Sequence, residues 1–380
     1  MPAPLGCAGP DHKVRVWLKD HVAGRAMGGH TGEVESVAFA GDARNRPLLA
    51  SAGRDGTVRL WDPAASDPRL TGQAGSTRSL ALTTVAGGRL LLASVARSTA
   101  DIRVWEANTG KVMQNSLAGH TGKVRAVALG VGERDQPLLA SASEDRTVRL
   151  WDPELRLAIG APLAGHTGPV TAVAFGAGTR GRALLASASE DRTVRLWDPD
   201  TGEPVGAPLI GHAGWVGSVA IRGAAEGPPM LASGGADGTV RIWNADTGDT
   251  VCQPLKGHRG PVTAVVFGHG LEGNSLLASC GRDGTVRLWD PDTGNTVRPP
   301  LTAHSGPVTS VVFGHGPDGT PLLASASADR TVRLWDVTSG VNSATIRRRV
   351  TVTTLASVGA ILAIGDEEGV SVIELVSSTF

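Results

Sequence analysis

Tryptophan recurs in this chain at Trp61, Trp105, Trp151, Trp197, Trp243, Trp289 and Trp335, spaced once by 44 residues and then five times by 46. A period in the forties marks a tandem array of supersecondary units, none of which can bury its own faces alone. Each tryptophan closes a segment such as GTVRLWD (56–62), RTVRLWD (146–152) or GTVRIWN (238–244). About 31 residues earlier stands a Gly-His pair, at His30, His120, His166, His212 and His258, or an Ala-His pair at His304.

One repeat, residues 165–210, reads as four short extended segments. PVTAVAFG (169–176) is β-branched and apolar, as expected of a strand covered on both faces. ALLASAS (183–189) is a second buried strand, and Asp191-Arg192 turns the chain into TVRLWD (193–198). There Val194 and Leu196 alternate with Thr193, Arg195 and Trp197, which predicts that Trp197 shares a face with Arg195. PVGAPLIG (204–211) follows as the outermost strand. Other repeats carry Asp-Gly or Asp-Arg at the same turn, a hairpin signal. No segment has helical periodicity, so the expected class is all-β. Closing such a stack into a ring removes its two unprotected ends.

The 36 basic residues equal the 36 acidic ones, which argues against partners recruited by charge alone, nucleic acid or an anionic membrane. Only five of the basic residues are lysine, and Ala, Gly, Pro, Val and Arg abound, a bias typical of GC-rich, actinobacterial-like genomes. Three cysteines, Cys7, Cys252 and Cys280, make no disulfide framework and fit a reducing compartment. Residues 1–13 hold no apolar stretch long enough for a signal peptide, and no run is long enough to span a bilayer. A cytoplasmic, monomeric protein is the expectation.

These motifs resemble the WD-repeat family over essentially the whole chain. The resemblance implies a β-propeller in which a His, a Ser, a turn Asp and the Trp of each repeat form a structural hydrogen-bonded tetrad. Carried over residue by residue, the sets are His30, Ser51, Asp55 and Trp61; His120, Ser141, Asp145 and Trp151; and His166, Ser187, Asp191 and Trp197. They continue with His212, Ser233, Asp237 and Trp243; His258, Ser279, Asp283 and Trp289; and His304, Ser325, Asp329 and Trp335. Ser, His and Asp also suggest a hydrolase triad, but a catalytic site occurs once, not six times, and no G-x-S-x-G elbow surrounds these serines. The chain is therefore read as no enzyme, with no cofactor and no metal.

Repeat two departs from the pattern, with Gly75-Ser76 where Gly-His should stand and a turn region ARSTAD (96–101) lacking the expected Asp. The C-terminal unit keeps three strand-like segments, RVTVTTLAS (349–357), AILAIGD (360–366) and GVSVIEL (369–375), but neither His nor Trp. At the N-terminus PLGCAG (4–9) and KVRVW (13–17) align with second and third strands. The expected organisation is a single propeller over 1–380: a partial repeat at 1–21, seven tandem repeats at 22–348 and a degenerate closing repeat at 349–380. If residues 22–28 complete that last unit the ring has eight blades; the alternative is seven blades with residues 1–65 as an appendage. A chain that is the end of a longer protein is a further alternative.

Function is expected where repeats differ. By resemblance, partners dock on the face of the Gly-His loops, through positions three and five after the His and the one before the turn Asp. Those positions nominate Trp215, Glu33, Glu35, Lys123, Arg125, Arg54, Glu144, Glu190 and Arg282 as partner-binding candidates, towards repeats one, three and five. Trp215 could anchor an interface or fold against the channel lip as packing; the opposed charges of repeats one and three could orient a partner or stand solvated. Pro-Thr pairs in three repeats (Pro169 and Thr171, Pro261 and Thr263, Pro307 and Thr309) read as bland, and the third-strand arginines (Arg59, Arg149, Arg195, Arg241, Arg287, Arg333) as a solvated face. His269 and His315 lack the carboxylate or thiolate support a metal needs. The expected function is a non-enzymatic protein–protein scaffold. Alternatives are a regulatory or sensor module detached from a larger signalling protein, a kinase or protease, and a propeller enzyme or small-ligand binder.

Overall fold

The computed structural model describes residues 6–8, 14–16, 22–27, 29–41, 47–62, 68–73, 77–85, 89–96, 100–106, 111–112, 116–132, 136–224, 227–271, 273–316, 318–358, 361–366 and 369–375. Among them helical structure is confined to short turns such as the 3-10 segment Thr179–Gly181. The strands form eight antiparallel sheets of three or four, in chain order, beside a two-stranded pair, Gly6–Ala8 with Val14–Val16. Gly75-Ser76 and much of the ARSTAD turn lie outside the described residues.

The sheets are numbered here as units one to eight. Their first strands are Val34–Gly41, Thr77–Val85, Val124–Val131, Val170–Ala177, Val216–Arg222, Val262–His269, Val308–His315 and Val352–Val358. Unit seven shows the plan, with Val308–His315, Pro321–Ser327, Thr331–Asp336 and Asn342–Arg347 paired in that order. The second strand is wholly apolar or hydroxyl-bearing because sheets cover it on both sides. Its turn into the third strand needs a left-handed residue. Gly56, Gly238 and Gly284 supply it at φ 75–78°, and Arg146, Arg192 and Arg330 adopt it at 67–72°.

Unit eight draws on both termini. Val352–Val358, Ile361–Asp366 and Gly369–Leu375 make three strands, and Val22–Met27 pairs with the last of them from Val22↔Leu375 to Met27↔Val370. Its apolar residues Ala363 and Val370 pack with Val34, Val37, Leu49 and Trp61 of unit one. The last sheet thus covers the first, and the array closes as a β-propeller.

One expectation about the strands needs correction. Residues 204–211 are not a continuous outer strand: they touch the third strand only at bridges Trp197↔Pro204 and Val194↔Leu209, and unit six does likewise at Trp289↔Thr296 and Val286↔Leu301. Pro204 and Pro208, and Pro299 and Pro300 in unit six, have no N–H to give a ladder. Trp197 and Arg195 do lie on one face of the third strand, and Trp197 is buried there with Val170, Leu185 and Leu163, because the neighbouring sheet covers that side as well.

What joins one sheet to the next is a β-bulge. Every first strand slips register by one residue just after its opening residue, at Val34/Ser36, Thr77/Ser79, Val124/Ala126, Val170/Ala172, Val216/Ser218, Val262/Ala264, Val308/Ser310 and Val352/Thr354. A bulge frees one residue from the ladder and re-aims its side chain. Thr171, Thr263 and Thr309 are bulge residues, and their hydroxyls donate to Val216 O at 2.5 Å, Val308 O at 2.6 Å and Val352 O at 2.8 Å in the next unit. Thr353 does the same to Val34 O, across the closure of the ring. Where no Thr serves, the following Ser accepts instead: Ser36, Ser79 and Ser218 take the N–H of Leu80, Val127 and Val265. Unit three has neither and uses an ion pair, Arg125 to Glu190 at 2.7 Å. The Thr of each Pro-Thr pair is therefore an inter-sheet clip.

The far ends of the first strands interlock by shape. A Cβ on Gly130, Gly176 or Gly268 would lie 2.4, 2.2 or 2.2 Å from Phe175, Ile221 or Phe313 of the following unit. These glycines are the sockets for the neighbour's large side chain.

Candidate functional site

The loops that enter each first strand and the hairpin turns beside them make one face of the ring. On it the structure brings together the six His, Ser, Asp and Trp sets. Trp Nε1 lies 2.7–3.1 Å from Ser Oγ, His Nε2 2.7–2.9 Å from the same oxygen, and His Nδ1 2.8–3.1 Å from the Asp carboxylate. Indole is donor-only, so the Ser oxygen accepts from it and gives its single proton to His Nε2. The neutral imidazole then carries its proton on Nδ1 and donates it to Asp.

A fifth member was not legible from the motif. Two residues after each Asp stands a Thr (Thr57, Thr147, Thr193, Thr239, Thr285, Thr331) whose Oγ1 donates to Asp Oδ1 at 2.6–2.9 Å. The backbone N–H after each His donates to Oδ2 at 2.7–3.0 Å. The repeated D-[GR]-T string was the available signal.

Electrostatics follows from this closure. Burial lowers the pKa of His120, His166, His304, His30, His212 and His258, and their carboxylates only partly offset it. Burial opposes ionisation of Asp145, Asp191 and Asp329 too, but hydrogen bonds led by those of Thr147, Thr193 and Thr331 outweigh it and hold the carboxyls at about 2. Each set is a neutral imidazole locked to a carboxylate, with its polar atoms already engaged inside the protein.

The third-strand arginines are not simply solvated. Arg59, Arg195, Arg241 and Arg287 donate to the carbonyls of Gly29, Gly165, Gly211 and Gly257 at 2.6–2.8 Å. Those glycines hold φ between 146° and 158°, and a Cβ there would sit 2.3–2.8 Å from the guanidinium. The Gly of Gly-His is thus a seat for arginine. Where Ala303 replaces it, Arg333 turns to Thr345 Oγ1 at 3.2 Å.

Repeat two keeps part of a set, Trp105 donating to Ser94 at 3.2 Å. Unit eight substitutes another pair: Arg348, four residues before Val352 as each His is before its own first strand, donates Nε to Asp366 at 2.6 Å.

Of the partner-binding candidates, most are tied to one another. Arg54 pairs with Glu33 at 2.7 Å and Glu35 at 2.5 Å, within unit one. Arg125 pairs with Glu144 at 3.1 Å and, across the interface, with Glu190 at 2.7 Å. The charges of units one and three thus meet partners of their own rather than standing opposed across the face. Lys123 is exposed, and its carbonyl takes the Glu144 N–H.

Trp215 and Arg282 stand differently. Trp215 is 41% exposed, whereas the seven third-strand tryptophans are buried. Its ring lies over the bulge residue Gly217, where a Cβ would meet Cζ3 at 2.4 Å. Arg282 is exposed, anchored through its backbone to Pro261 O at 3.0 Å.

Elsewhere, a cavity of about 360 Å³ lined by Arg298, Pro300, Leu301 and Trp335 adjoins one of about 340 Å³ lined by Leu271, Leu276, Val297 and Val337, on the flank between units six and seven. His269 and His315 end the first strands of those units; among the described residues no group of three or more His, Cys, Asp or Glu could hold a metal ion. No helix is long and apolar enough to cross a membrane. Burial pushes the Cys280 thiol up to about 12.

A family model described as WD domain, G-beta repeat matches residues 24–62, 111–152, 159–198, 202–244, 249–290 and 295–336. Among curated proteins the chain is similar to a nuclear distribution protein PAC1 of Arthroderma benhamiae, 31% identical over 154 residues, covering 38% of this chain and 32% of that protein. It is similar to a nuclear distribution protein nudF 1 of Talaromyces marneffei, 32% identical over 99 residues, covering 26% of this chain and 21% of that one. The matched region thus spans a third or less of these relatives. Among solved structures the computationally designed Ika8 protein superposes with a TM-score of 0.73 over 92% of this chain and 98% of that one, at 24% identity, a likeness of fold alone.

Proposed function

The chain belongs to the WD domain, G-beta repeat family, and on that premise we propose that it is a non-enzymatic scaffold whose loop face docks other proteins. The observation that carries this reading is Trp215, a tryptophan left 41% exposed on a face where the others are buried. Aromatic side chains concentrate binding energy at interfaces, since they cover much area at little conformational cost. The Ser, His and Asp groups of the repeated sets are engaged by one another, and Arg54 and Arg125 are occupied by Glu33, Glu35, Glu144 and Glu190. Those charges stiffen the face, and recognition falls to unit five and its neighbours.

We read the whole chain, 1–380, as one propeller closed by residues 349–380, working as a monomer in the cytoplasm of a GC-rich bacterium. The test is affinity capture from the source organism with wild type beside Trp215→Ala. Partners retained by wild type and lost by the variant are expected; identical sets of captured proteins count against this face.

A further inference from the structure

We infer that the strip from Trp215 to Arg259 and Arg282 takes an acidic peptide segment of a partner protein, an apolar side chain resting on the indole and carboxylates meeting the two guanidiniums. The inference rests on the loop-face reading above and names the chemistry of what docks there.

The strip is continuous through backbone contacts. Trp215 O accepts the N–H of Ala236 at 2.8 Å, which ties the indole's residue to the hairpin turn of unit five. The next turn residue but one, Gly238, abuts unit six: its missing Cβ would meet His258 O at 2.8 Å and Gly260 O at 3.2 Å. Arg259 lies between those two carbonyls, and Pro261 O, just beyond, accepts the N–H of Arg282. Trp215, Arg259 and Arg282 are thereby consecutive along one arc.

Both arginines are exposed, and their only described hydrogen bonds are through the backbone, Arg259 N–H to Asp283 and Arg282 N–H to Pro261. The arginines at the equivalent rim in units one and three are ion-paired, as shown for Arg54 and Arg125. The residues beside Trp215 in its loop, its strand and the adjoining turn, Ala213, Gly214, Gly217 and Ala236, are all small. At the positions where units one, three and four carry Glu33, Glu35, Glu144 and Glu190, units five and six have Trp215, Gly217, Ala236, Pro261, Thr263 and Arg282. The acids that remain, Asp237 and Asp283, are engaged by histidine. The strip therefore offers an open aromatic platform and two guanidiniums with no ion pair among the described residues, which calls for carboxylates from outside.

Single-stranded nucleic acid also stacks on aromatics and pairs with arginine. A polyanion, however, needs a basic track longer than the strip. On the unit-four side the face presents Glu190, and the chain as a whole has no net charge. A short acidic peptide matches the extent of the positive patch.

The test uses the full chain and fluorescein-labelled synthetic 12-residue peptides. In one set a single Trp, Leu or Phe sits between runs of Glu; matched sets carry Gln or Lys in place of Glu, and oligo-dT of equal charge serves as the nucleic-acid probe. Anisotropy is expected to show binding of the Glu set that weakens with salt and falls at least about tenfold in Trp215→Ala and in the double variant Arg259→Glu/Arg282→Glu. The charge-reversed protein is expected to prefer the Lys set, while Lys123→Glu changes little. All substituted residues are exposed, and unchanged melting temperatures verify that the variants fold.

Equal binding of Glu and Gln sets, no binding of the Glu set, indifference to charge reversal, or tighter binding of oligo-dT would each overturn the acidic-peptide assignment. If Trp215→Ala still loses captured partners in those cases, only this assignment fails. If Trp215→Ala loses nothing in either experiment, the docking face itself is wrong.

Discussion

Arg348 Nε donates to Asp366 Oδ2 at 2.6 Å, and the two side chains are only 5% and 0% exposed. The pair occupies the unit that has neither the histidine nor the tryptophan of its neighbours. Like the imidazole–carboxylate pairs, it ties the loop before the first strand to the end of the second. Removing one partner alone leaves an uncompensated buried charge. Asp366→Ala is expected to lower stability by about 3–5 kcal/mol. The double variant Arg348→Met/Asp366→Leu should recover much of that loss, because no charge is stranded. Urea unfolding of the three proteins checks both halves; an additive double variant would show that the two residues act separately.

The imidazole–hydroxyl–carboxylate sets should behave as structure, not machinery. Asp191→Ala strands His166, Thr193 and the Thr167 N–H, and is expected to cost about 1–3 kcal/mol. Trp215→Ala, by contrast, should leave the melting temperature unchanged within a degree or so. A scan of both variants separates the folding role of one set from the binding role of the other; a destabilising Trp215→Ala and a neutral Asp191→Ala would invert the assignment.

Acid should unfold the ring in two stages. The histidine pKa values are lowered in the folded state by burial, so below about pH 6.5 the unfolded chain binds more protons and stability falls as pH falls. The carboxyls of Asp145, Asp191 and Asp329, held at about 2 against an ordinary 3.8, act with the same sign: their contribution is complete above 3.8 and is lost towards 2. Calorimetry at constant ionic strength is expected to give a melting temperature that declines from about pH 6.5 and more steeply below about pH 4. A profile flat from pH 7 to 5 is the contrary result.

Gly268 is predicted to tolerate no side chain. Its added Cβ would lie 2.2 Å from the Phe313 ring, within a packed interface between units six and seven. Gly268→Ala should destabilise by about 1–3 kcal/mol through overpacking. Combining it with Phe313→Leu should cost less than the sum of the two changes, as coupled neighbours do. Strict additivity would mean that the two residues do not meet.

The strand content of each unit was legible because a local rule governs it: apolar runs of six to eight residues, broken by Asp-Gly or Asp-Arg, can only be hairpins. The same hairpin register turns spacing into proximity. Ser187 pairs with Arg195, so Trp197, two residues on, lies within reach of Ser187. The outer strands were less legible. Proline removes ladder donors, and whether the chain still bridges depends on how the sheet edge curves.

Everything that passes between sheets lay beyond the sequence. Thr171 looked inert because its role requires a bulge that aims it at Val216, 45 residues away. The arginines looked solvated because their acceptors, glycine carbonyls 30 residues back, come into reach only when the loop folds over them. Arg125 and Glu190 looked like separate rim charges until neighbouring units brought them to 2.7 Å. Periodicity and turn chemistry act over a few residues, and they determined by themselves that this chain is a tandem array of hairpins. Which side chains cancel, clip or remain open to a partner was decided only when the sheets packed, since that depends on the angle and spacing between units that no single repeat contains.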